Sequence, residues 1–204
     1  VGDGCRDRHR PRRARAALGL RGVAEHACGP RRARAAVVPA PVGRRIDAFL
    51  AISSKRDERA YAGTPIPDVV VERILDAGRL SGSARNRQEW TFVVVGDREA
   101  FAETVYAPEN VGTAALVVAI VGAAGFDAGR CAQNMMLAAW NDGVVSCPNG
   151  VRDPEGAARI AGGEVGAVIS FGYPAKPRDP DLRTAAEWSA RANRRPLDEL
   201  VRRS

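Results

Sequence analysis

The run "ALVVAIVG", residues 115 to 122, contains no polar side chain and ends on a glycine. It has the length of a strand and is rich in β-branched residues, so it reads as a strand buried on both faces. "WTFVVVG" (90–96) and "GEVGAVISFGYP" (163–174) read as two more strands, and "VVSCPNG" (144–150) as a strand edge running into a Pro-Asn-Gly turn. Between them lie helical patterns. One covers Ile46 to Ser53, and a second starts at Pro67 or Asp68 with Val70, Ile74 and Ala77 on one face. "DREAFAETVY" opens on Asp97 as N-cap, and the longest helix, 126–143, is capped by Asp127 and closed by Gly143. "DPEGAARIAG" and "PLDELVRR" complete the set, the latter after a polar, extended arm that begins past Pro174. Helices and strands mix without regular βαβ alternation, which predicts an α+β fold.

The 204 residues fit one domain, and the net charge of +7 is unevenly spread. Residues 1–45 hold twelve Arg against three acids, whereas the remainder holds nineteen Lys or Arg against twenty-one acids. That first segment is built from Arg, Ala, Gly and Pro with no aromatic residue, and is expected to be a disordered or spurious extension, with the folded domain at 46–204. No apolar stretch approaches the roughly 18 residues of a membrane span. Cys5, Cys28, Cys131 and Cys147 lack metal-site spacing, so reduced thiols in a cytoplasm are expected.

Both histidines, His9 and His26, precede residue 46. The predicted domain therefore has no Ser-His-Asp triad, no Cys-His nucleophile and no His-ligated metal. Neither a P-loop nor a G-x-G-x-x-G follows any strand. Chemistry in such a domain would come from a bound cofactor.

Three polar clusters remain. "SKRDERAY" (54–61) gathers Lys55, Arg56 and Arg59, a natural partner for a phosphate, although such a run alone is more often a solvated surface. "SGSARNRQEW" (81–90) carries Ser81, Gly82, Ser83, Asn86 and Gln88, whose hydroxyls and amides suit a heteroaromatic edge. "SCPNG" (146–150) offers backbone N–H groups around Pro148, Asn149 and Gly150. The apolar stripe Ala132, Met135, Met136, Ala139, Trp140 reads as core.

In this order the clusters resemble the nitroreductase family of flavoenzymes. "KRDERAY" resembles its basic-basic-x-x-basic-x-aromatic start, and "SGSARNRQEW" its small-residue stretch ending in Asn-x-Gln-x-Trp. "AQNMMLAAWNDGVVSCPNG" resembles its central helix and flavin-edge turn, "ISFGYPAKP" its last core strand and "RRPLDELV" its C-terminal arm. The resemblance implies a three-layer fold, a mixed, mainly antiparallel sheet flanked by helices, and a homodimer with FMN at the interface. It implies that Lys55, Arg56 and Arg59 hold the phosphate beside Arg194 or Arg195. Ser81 to Gln88 would let flavin approach, partly in the partner subunit, and Trp90 would begin the strand that fixes that loop. Pro148, Asn149 and Gly150 would line the flavin edge with a backbone N–H near N5. The implied activity is hydride transfer from NADH or NADPH through FMN to a nitro compound, quinone or similar acceptor in ping-pong fashion, with no catalytic side chain and no metal.

Two departures stand out. Asp57 occupies a place where the family often has Ser, and its charge opposes phosphate unless it meets a ribityl hydroxyl or pairs with Arg59. "YAPENVGTA" is short for a region that commonly adds flavin contacts. Cys147 beside the turn reads as a buried structural thiol rather than a nucleophile. A flavin-binding or storage protein with little turnover is the alternative, and a nucleic-acid binder led by the basic segment a third, less favoured reading.

Overall fold

The structure is a computed structural model that describes residues 46–123 and 125–204. The extension assigned to residues 1–45, with both histidines, Cys5 and Cys28, lies outside the described residues. The elements run α1 (Ala48–Ser54), α2 (Asp68–Arg79), β1 (Thr91–Val94), α3 (Arg98–Ala102), α4 (Pro108–Gly112) and β2 (Leu116–Val121). Then follow α5 (Gly125–Asn141), β3 (Val145–Asn149), α6 (Pro154–Ala161), β4 (Val165–Gly172), α7 (Ala185–Ala190) and α8 (Leu197–Leu200).

The four strands form one sheet in the order β1-β2-β4-β3, and each neighbouring pair is antiparallel. Every residue of β2 is buried, because alternate side chains enter different cores. Leu116, Val118 and Ile120 pack with Ile169, Phe171 and the α2/α5 residues Ile74, Met135 and Ala139. Val117, Ala119 and Val121 face the other way, toward Phe101, Val111, Ala157 and Ala161 of α3, α4 and α6. The result is the expected helix–sheet–helix sandwich, and the stripe Ala132, Met135, Met136, Ala139, Trp140 is buried throughout.

Local departures from the sequence reading have tertiary causes. The helix after Asp97 keeps its predicted cap, with Asp97 Oδ1 accepting from Ala100 N at 3.0 Å, but stops at Ala102. Val105 instead bridges Val151, and the Thr104 carbonyl accepts from Arg152 and Asp153 N–H at 2.7 and 3.0 Å. α5 starts at Gly125, which places Asp127 in its first turn, where a carboxylate complements the helix dipole, and not at the cap. Trp90 precedes β1 and lies nearly parallel to Phe92, centroids 6.5 Å apart. The supposedly extended arm contains α7, started by a full capping box between Thr184 and Glu187.

Pro148 and Asn149 belong to β3 and pair with Ile169 and Val168, so the Pro-Asn-Gly segment is strand almost to its end, and not a turn. An edge strand tolerates proline where the missing N–H would point away from the ladder. Ser146, two residues earlier, turns its carbonyl outward to accept Glu58 N–H at 3.1 Å, so Pro148 lies in the same outward register.

Truncating the fully buried Ile120 should cost about 2–5 kcal/mol, against about 0.5 kcal/mol or less for Leu80→Ala on the surface. Denaturant unfolding checks this: the midpoint for Ile120→Ala should fall with little change of slope.

Candidate functional site

The segment after α1 is drawn against the outer edge of β3. Asp57 forms a parallel bridge with Ser146, and Tyr61 an antiparallel one with Pro174. Two of the three clusters are therefore neighbours: the cations of 55–59 lie beside the strand that carries Pro148 and Asn149 and ends just before Gly150.

Each cation has a different partner. Lys55 Nζ meets Asp57 Oδ1 at 2.5 Å and donates to Met136 Sδ at 3.4 Å. Its side chain is 9% exposed and that of Asp57 47%. Asp57 thus pairs with Lys55 and not with Arg59. Arg56 donates through Nη1 to the carbonyls of Ser53 (2.7 Å) and Lys55 (2.8 Å) and through Nη2 to that of Trp188 (2.9 Å). Its guanidinium lies 5.8 Å from the centre of the Trp188 ring, which also receives Arg183 at 4.9 Å. Arg56 therefore fastens α7 to the end of α1. Arg59 reaches the buried Cys147 thiol; burial pushes that thiol's pKa up and Arg59 pulls against it.

Behind β3 a buried network, largely unmarked by the sequence, joins Tyr61, Ser170 and Asn149. The Tyr61 hydroxyl is 2.8 Å from Ser170 Oγ, which donates to the Cys147 carbonyl at 3.2 Å. Asn149 Nδ2 donates to Ser170 Oγ (3.1 Å) and to the Cys147 carbonyl (3.0 Å). Asn149 Oδ1 and Ser146 Oγ are buried without a hydrogen-bond partner, so β3 retains polar capacity at both residues. The sequence points to Asn149 and to an aromatic residue at 61, and Ser170 carries no signal of its own.

The third cluster lies elsewhere. Ser81 is buried and accepts from Asn134 Nδ2 on α5 at 2.8 Å. Arg130 Nη1 donates to the Gly82 carbonyl at 2.7 Å, and a Cβ at Gly82 would come 2.9 Å from that guanidinium. Ser83 Oγ accepts from Gln88 N–H at 2.9 Å, closing a loop in which Arg85, Asn86 and Gln88 all have φ between 53° and 55°. Such conformations cost roughly 1–3 kcal/mol each outside glycine, and residues 84–89 are exposed. Asn134 and Met136 are two residues apart, about 200° around the helix, so this loop and Lys55 occupy opposite flanks of α5. One chain does not unite all three clusters. Arg194 and Arg195 are exposed, and Arg194 donates to the Ala192 carbonyl at 3.2 Å rather than to the 55–59 segment.

A cavity of about 260 Å³ opens under the arm between Trp140, Val145 and Trp188, rimmed by Arg56 and Asp57. Asp57, Glu58 and Val145 connect it to the near end of the β3 edge, but neither Lys55 nor residues 148–150 line it. Among the described residues no helix is long and apolar enough to cross a membrane, and no group of three or more His, Cys, Asp or Glu is placed to hold a metal.

A model of the family described as "Nitroreductase family" matches residues 52–119. A relative from Archaeoglobus fulgidus, named "Putative NADH dehydrogenase/NAD(P)H nitroreductase", is 31% identical over 150 residues, 63% of this chain and 86% of its own length. The chain belongs to the nitroreductase family. Solved nitroreductase-fold structures agree in architecture: a family protein from Clostridium difficile superposes with TM-score 0.63 at 19% identity, covering 77% of this chain and 98% of its own. The NADPH:FMN oxidoreductase of Vibrio harveyi, solved with NAD+, gives 0.58 at 22% identity, covering 62% and 68%. Membership carries an NAD(P)H-dependent oxidoreductase activity in general terms.

Two outcomes follow from the geometry. Arg56→Ala removes three main-chain contacts and should release α7, so trypsin should cut within 183–191 several-fold faster than in the parent. Burial raises the Tyr61 phenol from 10.0 to about 12. Its contribution to stability is complete below about pH 10 and lost as pH rises toward 12, because the unfolded chain releases the proton first. Stability measured from pH 9 to 12 should therefore fall less steeply in Tyr61→Phe than in the parent.

Proposed function

We propose that the chain is an FMN-dependent oxidoreductase that takes hydride from NADH or NADPH and passes the electrons to a nitro compound, quinone or similar acceptor, in alternating half-reactions. The observation that carries this reading is the alignment of the cationic 55–59 segment along the β3 edge next to residues 148–150. The donor set fits FMN: Lys55, Arg56 and Arg59 suit the phosphate, and Ser146 Oγ and Asn149 Oδ1 offer polar groups nearby. Bound FMN would supply the two-electron hydride chemistry. The protein's own share is to bind, to orient and to exclude water. The Tyr61–Ser170–Asn149 network holds the end of β3 in place, and the loop at 81–88 presents Ser83, Asn86 and Gln88.

The same geometry supports a homodimer. The loop faces the opposite flank of α5 from Lys55, so a second copy would bring loop and cations to one flavin. Phe126 on α5 and Leu197, Leu200 and Val201 near the C-terminus are exposed apolar side chains suited to that contact. Arg194 and Arg195 would join the phosphate site in that assembly, in a reduced, cytoplasmic setting.

A flavin-binding protein with little turnover is the second reading, favoured by the acidic partner of Lys55. Purified protein loaded with FMN should lose the visible absorbance of oxidised flavin on anaerobic addition of NADH or NADPH and regain it with a quinone. Bleaching by neither donor would leave the second reading standing.

A further inference from the structure

We infer that Asp57 is a built-in competitor for the flavin's phosphate at Lys55, which reduces the advantage FMN holds over riboflavin. The inference rests on the flavin reading above and concerns how the site chooses among flavins.

Each of the three cations expected to bind phosphate is engaged, but in different currencies of charge. Arg56 donates to three neutral carbonyls and can keep its positive field while doing so. Arg59 is exposed and lies beside a protonated thiol. Lys55 alone has a carboxylate at 2.5 Å. Its side chain is almost fully buried, and an ammonium there needs an anion close by, because an unpaired buried charge is strongly destabilising. Asp57 supplies that anion when no ligand does. A phosphate approaching Lys55 must then either displace the carboxylate into water or sit beside it and be repelled. The side chain of Asp57 is half-exposed, so displacement is open to it, at the cost of the ion pair.

Riboflavin lacks the phosphate and is indifferent to this competition. Removing the charge with Asp57→Asn should therefore tighten FMN about tenfold while leaving riboflavin unchanged, both followed by quenching of flavin fluorescence. The gain should vanish in Lys55→Gln, where Asp57→Asn has no ammonium to release. Without flavin, Asp57→Asn should melt at a lower temperature than the parent, and added FMN should raise its melting point by more than the parent's. Riboflavin affinity reports whether each variant keeps its site, so misfolding is distinguishable from a change in phosphate binding.

Three results would overturn the inference. Equal changes for both flavins would mean that Asp57 meets the ribityl chain and not the phosphate. Unchanged FMN affinity in Asp57→Asn would mean that the pair with Lys55 does not oppose the cofactor. Failure of the parent and every variant to bind either flavin would reject the flavin reading, and this inference with it.

Discussion

One main-chain contact organises the site: Glu58 N–H donates to the Ser146 carbonyl, holding the strand-like segment after α1 against the free edge of β3. An unpaired sheet edge is a row of exposed donors and acceptors, and proteins cover or break such edges. Here the cover is the cationic segment itself, and the break is Pro148, whose outward position has no N–H to offer. Lys55, Asp57 and Arg59 are thereby set by backbone geometry next to residues 146–150. The sheet positions them through β4, whose Ser170 also anchors Tyr61 and Asn149.

That arrangement depends in turn on β2 and β4 being interior strands. Because β2 sends alternate side chains into two cores, neither helix layer can shift without exposing large apolar surface. Rigidity at the centre allows unusual chemistry at the margins. The 81–90 loop keeps three left-handed non-glycine residues, and β3 keeps two buried polar atoms without partners. Both concessions lie in segments that the sequence singles out for their polar residues, as expected where local preferences yield to function.

The core elements were legible because their signals are local. The all-apolar 115–122 run, the Asp97 cap and the stripe on α5 each follow from neighbouring residues, and the structure agrees with them. What the sequence obscured was decided at long range. Whether "CPNG" turns or extends depends on pairing with β4, Cys147 opposite Ser170 and Asn149 opposite Val168, far along the chain, and not on the intrinsic preference of Pro-Asn-Gly. Likewise Arg56 looks like Lys55 in the sequence, yet the one docks a distant tryptophan's carbonyl and the other meets a carboxylate two residues on. The capping box of α7 is written in "TAAE", but the polar arm around it carries no apolar period to mark a helix.

The clusters' division between the two flanks of α5 has a further consequence for how such a site is built. Lys55 reaches the helix at Met136 and Ser81 reaches it at Asn134, so a single helix carries both halves while keeping them apart. For one chain to bring the two clusters together, the loop would have to cross the helix, and residues 84–89 are exposed where they are. Association of two copies about α5 would solve the problem by symmetry, since a twofold contact places each element of one chain opposite its counterpart's complement. The cofactor would then link assembly to binding, because every phosphate held by Lys55 would also stabilise the contact that brings a second loop to it.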